Sequence, residues 1–276
     1  MAPPAACLIG WPAAHSRSPI IHKYWLKMLG TAGDYRIEAV KPEAFASFIT
    51  DLPAHGYVGA NVTIPYKEQA LALADGDARA RAVGAANTLW LDRGKLRATN
   101  TDVDGFLGNL DASAPGWDRA GSEALVLGAG GASRAVIFGL LEGGISKIHL
   151  ANRTRERASA LAEKFGPRVQ PIGWDQINAV LPGAGLLVNT TSLGMAGQPP
   201  LELDLAGLDA GTVVADLVYV PLQTPLLLAA RARGLRTADG LGMLLHQAVG
   251  GFSLWFGRKP EVTAELRARV EADLMA

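Results

Sequence analysis

Short apolar runs of four to six residues alternate along this chain with longer stretches whose apolar positions recur every three or four residues. The first pattern predicts buried strands and the second amphipathic helices, so the chain reads as repeated βα units. Strands are expected at 6–9, 35–40, 56–62, 124–127, 168–171, 186–189, 213–217 and 236–238, with a further one running from Lys147 to Asn152. Helices are expected at 19–29, 42–52, 103–110, 134–142, 174–180, 226–233 and 240–256, with one opening at Lys67 and one ending at Phe165. The runs at 86–91 and 95–100 flank Asp92-Arg93-Gly94 and read as a hairpin. Residues 113–122 are rich in turn formers and mark the passage from one domain to the next. The predicted class is α/β, with a mostly parallel, doubly wound sheet in the later part.

The stretch Ala124-Leu-Val-Leu-Gly-Ala-Gly-Gly-Ala-Ser133 joins an expected strand to an expected helix through a glycine-rich turn. Gly128, Gly130 and Gly131 allow a tight turn, and the N–H groups at the start of the following helix lack intrahelical partners and favour an anion. Flanked by two strands, this reads as a dinucleotide-binding unit, although Ser133 stands where the fingerprint wants glycine or alanine. An NAD site expects Asp or Glu roughly 20 residues on. Here the second strand ends in Asn152-Arg153-Thr154, with Arg155 and Arg157 following. Arginine forks suit a 2′-phosphate that a carboxylate would repel, so the expected cofactor is NADP. The plainer alternative is a solvated, arginine-rich first helical turn.

Composition narrows the classes. The chain has 276 residues, enough for two domains, and 26 Lys plus Arg balance 26 Asp plus Glu. No net field favours nucleic acid or an anionic membrane. Cys7 is the only cysteine, so no intrachain disulfide can form, which suits a cytoplasmic setting. No uninterrupted apolar run approaches the ~18 residues of a membrane span, and the first residues lack the basic and apolar regions of an export signal. No metal-ligand pattern is present. A small-molecule substrate is expected, with the protein a monomer or homodimer.

The earlier part carries candidate chemistry of its own. Ser16 and Ser18 precede Pro19 at a helix start, and two hydroxyls beside exposed N–H groups make a small anion site suited to a carboxylate. Ser18 is alternatively an N-cap residue ahead of a first-turn proline. Lys67 follows the Pro65 break and opens a helix, where the dipole disfavours a cation; this makes it a catalytic candidate, against the alternative of a solvated lysine. The hairpin delivers Asn87 and the cluster Thr99-Asn100-Thr101-Asp102 to the sheet's end, where Asp102 is alternatively the N-cap of the next helix. Asn189-Thr-Thr-Ser-Leu-Gly-Met195 follows a strand at a position where open α/β sheets bind ligands. Gln247 and His246 are the strongly polar residues of an otherwise apolar helix before Ser253.

Together the motifs G-W-P-A-A-H-S-R-S-P-I-I-H, N-V-T-I-P-Y-K, A-A-N-T-L, T-N-T-D-V-D-G-F, G-A-G-G-A-S-R-A, N-R-T, N-T-T-S-L-G-M, D-L-V-Y and D-G-L-G-M-L-L-H-Q-A resemble the shikimate dehydrogenase family. They fall in the family's order and run from Gly10 to Gln247. The resemblance implies reversible reduction of 3-dehydroshikimate to shikimate with NADPH, in aromatic amino-acid (chorismate) biosynthesis. It also implies a split α/β substrate domain, residues 1–102 completed by helices in 242–276, and a Rossmann-like NADP-binding domain at 103–241. Carried over by position, Ser16 and Ser18 would hold the substrate carboxylate. Thr63, Asn87, Asp102 and Gln247 would hold ring hydroxyls, Tyr219 would approach the substrate, and Lys67 with Asp102 would be the catalytic pair. Gly128, Ala129, Gly130, Gly131, Ala132, Asn152, Arg153, Thr154 and Arg157 would hold NADP, with Leu217, Gly240 and Met243 at the nicotinamide end. Two departures stand out: Lys23 where the family has asparagine, and Ser133 where it has alanine or glycine. A quinate or aminoshikimate dehydrogenase, or a catalytically silent NADP-binding regulator, is the alternative.

Overall fold

The computed structural model describes residues 3–14, 16–119 and 121–275. These divide into two compact units, one of residues 1–102 with 245–276 and the other of residues 103–244.

In the first unit, β1 (Ala5–Gly10) pairs in parallel with β2 (Asp34–Ala39) and β3 (Tyr57–Val62). An antiparallel hairpin, β5 (Thr88–Asp92) and β6 (Lys95–Thr99), extends the sheet from β3, and the two-residue β4 (Asp75–Gly76) closes the far edge in the order β2-β1-β3-β5-β6-β4. Between Asp92 and Lys95, Arg93 and Gly94 both have positive φ (51° and 76°), as a two-residue hairpin turn matching the strand twist requires. Alternate residues of β1 serve the two faces: Ala5, Cys7 and Ile9 join a core with Phe45, Ile49 and Leu89, while Ala6 and Leu8 pack with Tyr35 and Trp255. Helix α1 (Ser18–Met28) follows β1. The expected 42–52 helix is a 3₁₀ turn, Pro42–Ala44, running into α2 (Phe45–Thr50). Helices α3 (Lys67–Leu73) and α4 (Ala78–Val83) lie between β3 and β5. The segment from Asp75 to Val83 was legible in neither period, because a two-residue strand has none.

In the second unit six parallel strands run in the order β12-β11-β10-β7-β8-β9: β7 (Glu123–Leu127), β8 (Lys147–Ala151), β9 (Val169–Ile172), β10 (Ala184–Asn189), β11 (Val213–Asp216) and β12 (Arg236–Ala238). Both faces are covered, so residues 124–127 of β7 are all apolar and buried. Ala124 and Val126 face a core with Phe106, Leu110, Val136 and Leu140, whereas Leu125 and Leu127 face Ile177, Leu181, Leu226 and Leu227. Helices α5 (Asp102–Ser113), α6 (Gly131–Glu142) and α7 (Arg155–Phe165) supply the first layer. The short α8 (Ile177–Val180) and α9 (Pro225–Ala232) supply the second. The winding reverses between β7 and β10, and in open α/β sheets ligands bind at the carboxyl ends of the strands at that point.

The long helix α10 (Gly240–Phe256) begins in the second unit and re-enters the first at Leu245, where α11 (Ala264–Leu274) completes the chain. Among the described residues, no helix is long and apolar enough to cross a membrane.

Candidate active site and dinucleotide loop

Two breaks in the first unit's sheet gather its polar groups. Pro65 ends the extension of β3 with a cis Ile64–Pro65 bond, and the chain restarts at once as α3, whose first residue is Lys67. The hairpin's second strand, two places from β3 in the sheet, ends at Thr99, and Asn100, Thr101 and Asp102 follow from it. Lys67 Nζ lies 2.5 Å from Asp102 Oδ2, with both side chains largely buried. Asn87 Nδ2 donates to the other carboxylate oxygen of Asp102 at 2.9 Å, and Gln247 Oε1 lies 3.5 Å from the same nitrogen. Gln247 reaches this point because α10 passes close to Thr101: a Cβ at Gly250 would stand 2.7 Å from the Thr101 methyl. Asp102 is therefore the first residue of α5, with its carboxylate turned to Lys67 and Asn87, and the alternative of an N-cap aspartate is set aside.

Ser18 also differs from its capping alternative. Arg17 occupies the N-cap position of α1 and makes no side-chain cap bond, while Ser18 is already helical and buried. Ser16 Oγ accepts from the Ser18 N–H and lies 3.2 Å from Ser18 Oγ, so both hydroxyls converge at the helix start. This arrangement can hold a carboxylate on hydroxyl and backbone donors together. Thr63 is half-buried beside Gly10, where its methyl would meet an added Cβ, and its N–H donates to Ile9. Lys23, further along α1, is an exposed partner of Asp34 at 3.5 Å.

Behind these residues Asn100 and Thr101, which the sequence places in one polar run, join Asn61 and Thr88 in a buried cluster that the sequence does not show. Asn61, Thr88, Asn100 and Thr101 are each at most 3% exposed. Asn100 Oδ1 accepts from the Asp102 N–H, and Asn61 accepts from the Tyr35 phenol at 2.7 Å. The available signal was an asparagine near the end of the otherwise apolar β3, since a buried amide needs partners. His22, one turn after Ser18, stacks on Tyr35 at 4.0 Å inside an aromatic cluster with Trp25, Phe252 and Trp255. Burial pushes its pKa down to about 3 against a smaller opposing pull from Asn61, and neither ring nitrogen makes a hydrogen bond of normal geometry.

In the second unit the glycine loop connects β7 to α6. Gly128 has φ +102°, and an added Cβ there would stand 2.8 Å from both Thr190 and Thr191, so only glycine lets the loop after β7 lie against the loop after β10. Gly130 is the N-cap of α6 without a side-chain cap, and Cβ atoms added at Gly130 or Gly131 would meet nothing within 4 Å. Uncapped N–H groups beside open space are what a phosphate needs. Ala129 lies in the same loop, and its N–H is bound by Asn152 Oδ1 at 3.1 Å, while Asn152 Nδ2 donates to the Thr154 carbonyl. The amide thus ties the loop to the end of β8. Arg153, Thr154, Arg155 and Arg157 are exposed there, and no carboxylate occupies 152–154. Ser133 is fully buried, yet its hydroxyl donates to the Gly130 carbonyl at 2.6 Å, so it fits the loop and leaves Ala132 at the helix start. These groups fit a dinucleotide carrying a 2′-phosphate.

Leu217 and Gly240 are in direct contact, since an added Cβ at Gly240 would sit 2.2 Å from the Leu217 carbonyl oxygen. Leu217 and Met243 each pack against the core that holds Phe106 and Val136. The preceding turn is fixed by Asp216, whose buried carboxylate accepts from Asn189 Nδ2, the Val218 N–H and the Thr224 hydroxyl. Burial pushes the Asp216 carboxyl up, and those three donors oppose the shift. Tyr219, half-buried, follows on this loop in the second unit. A cavity of about 330 Å³, lined by Trp117, Arg119, Glu123, Asp209 and Arg236 among others, lies at the starts of the strands, away from the glycine loop.

Comparison with known proteins shows the family. Family models described as shikimate dehydrogenase substrate binding domain, shikimate/quinate 5-dehydrogenase and shikimate 5′-dehydrogenase C-terminal domain match residues 8–89, 113–195 and 240–268. A protein of Rhodopseudomonas palustris (strain TIE-1) named shikimate dehydrogenase (NADP(+)) is 72% identical over 270 residues, covering 98% of this chain and 97% of its own. The crystal structure of shikimate 5-dehydrogenase from Thermus thermophilus in complex with NADP(H) and shikimate is 37% identical, with TM-score 0.84 and coverage of 99% and 98%. Quinate dehydrogenase from Corynebacterium glutamicum in complex with NAD is 32% identical, with TM-score 0.90 over 99% of this chain and 100% of that one. With its residues matched from the first strand to the last helices, this chain belongs to the shikimate dehydrogenase family.

Proposed function

We propose that this protein reversibly reduces 3-dehydroshikimate to shikimate with NADPH, serving aromatic amino-acid biosynthesis through chorismate. The observation that carries the reading is the Lys67–Asp102 ion pair, braced by Asn87 and sharing a unit with the converging hydroxyls of Ser16 and Ser18. A ring acid with several hydroxyls needs both features: donors for its carboxylate and a charged, oriented proton donor at its carbonyl.

NADPH, when bound, supplies the hydride. As the carbonyl carbon receives it, the oxygen gains negative charge and requires a proton. Lys67 stabilises that charge as an ammonium and gives up the proton, completing the alcohol; in the oxidative direction it takes the proton back. Asp102 aims the ammonium with one carboxylate oxygen, while Asn87 and Gln247 present an amide donor and acceptor to ring hydroxyls, with Thr63 and Tyr219 further polar contacts. Ser16 and Ser18 hold the substrate carboxylate. Gly128 to Ala132 would hold the pyrophosphate of NADP, Asn152, Arg153, Thr154 and Arg157 its 2′-phosphate end, and Leu217, Gly240 and Met243 its nicotinamide end. The setting is cytoplasmic, supported by a single, fully buried cysteine that can form no intrachain disulfide.

Initial rates on shikimate and quinate, each with NADP and NAD, test the reading. Shikimate with NADP is expected to give the highest kcat/KM. A preference for quinate would replace the substrate, and the absence of turnover in all four combinations would leave a cofactor-binding protein.

A further inference from the structure

The buried cluster behind the ion pair has a direction. Asn61 Nδ2 donates to the Asn87 carbonyl, which can only accept, so the orientation of the Asn61 amide is fixed. That orientation makes Asn61 Oδ1 the acceptor of the Tyr35 hydroxyl and sends its second N–H to Thr88 Oγ1 at 3.1 Å. With a lone pair of Thr88 so occupied, its single hydrogen is left for Asn87 Oδ1 at 3.1 Å or Thr101 Oγ1 at 3.0 Å. The Thr101 N–H also points at Asn87 Oδ1, at 2.7 Å, and can only donate. Asn87 must therefore turn its Nδ2 towards Asp102. A flipped amide would set its oxygen against the Asp102 carboxylate and push it from Lys67.

We propose that Thr88 is a positioning residue: its hydroxyl, bridging Asn61 to the Asn87–Thr101 pair, acts with the Thr101 N–H to hold the Asn87 amide and through it the placement of Asp102 opposite Lys67. The inference rests on the reading of Lys67 and Asp102 as the reacting pair. Thr88 is fully buried and one residue removed from the amide it orients. It acts through Asn87 and Asp102, so its loss should be felt in turnover and only while the Asp102 carboxylate is present.

The experiment compares kcat in four proteins, wild type, Thr88→Val, Asp102→Asn and the double variant, with Thr88→Ser as the rescue and Thr88→Ala in place of valine if the latter does not fold. Thr88→Val keeps the side-chain shape and removes the hydroxyl; it is expected to lower kcat about tenfold, with NADP affinity unchanged and Thr88→Ser near wild type. In the Asp102→Asn background the same substitution should change kcat less than about twofold. An equal loss in both backgrounds, normal kcat in Thr88→Val, or failure of serine to restore turnover would each overturn the proposal while leaving the ion-pair reading intact. Wild-type turnover in Asp102→Asn alone would instead overturn the ion-pair reading, and this inference with it.

Discussion

Lys67 Nζ and Asp102 Oδ2 stand 2.5 Å apart although 35 residues separate them in the chain, one opening α3 and the other opening α5. Each is the first residue of a helix that restarts after a strand end. Lys67→Ala is expected to lower kcat by ~10²–10⁴-fold, the range for loss of a general acid, with NADP affinity hardly changed. Asp102→Asn should also lose turnover, and the double variant should lose less than the product of the two. Steady-state rates with a titration of NADP fluorescence quenching check this; near-normal turnover of Lys67→Ala at saturating shikimate would remove Lys67 from the chemistry.

The exposed Arg153 beside Asn152, with no acidic residue at the end of β8, sets the expected cofactor preference. Arg153→Asp should weaken NADP binding on the order of 10- to 100-fold and raise the relative use of NAD, because a charge-assisted contact is lost and a repulsive one gained. Equal kcat/KM for both cofactors in the unaltered protein would contradict the assignment.

The Ser16 and Ser18 hydroxyls converge at the start of α1, where Ser16 Oγ also accepts from the Ser18 N–H. Ser16→Ala with Ser18→Ala is expected to raise the KM for shikimate at least about tenfold, leave NADP binding unchanged and move Tm by no more than a few degrees. Loss of Tm with retained substrate affinity would return the pair to a structural role.

His22 gives stability a pH dependence of predictable sign. Its folded pKa, about 3, lies below the ordinary 6.5 because burial disfavours the imidazolium, so the unfolded chain binds the extra proton between these values. The contribution of neutral His22 is complete above pH about 6.5 and declines as pH falls towards 3, with a limiting slope of ~1.4 kcal/mol per pH unit. Urea unfolding from pH 7.5 to 4.5 should show a shallower dependence in His22→Phe, which keeps an aromatic ring on Tyr35. Parallel curves for the two proteins would show that His22 does not govern it.

Several candidate residues of this site stand out from the sequence. Lysine after a proline break, paired serines before a proline and the arginines after β8 are local signals, since each depends on chain neighbours within one turn. The bonding of Tyr35, Asn61, Thr88 and Thr101 to one another does not stand out, because these residues lie on four separate segments and meet only through sheet pairing. The roles of Ser18 and Asp102 were ambiguous for the same reason: both fit an N-cap by local rule, and only their partners across the sheet or helix start distinguish the alternatives.

The sequence by itself determined the α/β class, most elements, the glycine turn and the types of charge at each strand end, because periodicity, breakers and capping are properties of short windows. Tertiary structure decided the strand order β2-β1-β3-β5-β6-β4, the approach of α10 that brings Gln247 to Asn87, and the amide orientations that aim Asp102 at Lys67. Those depend on which distant segments come within hydrogen-bonding reach, and a single amide or carboxylate takes its direction from all of its partners at once.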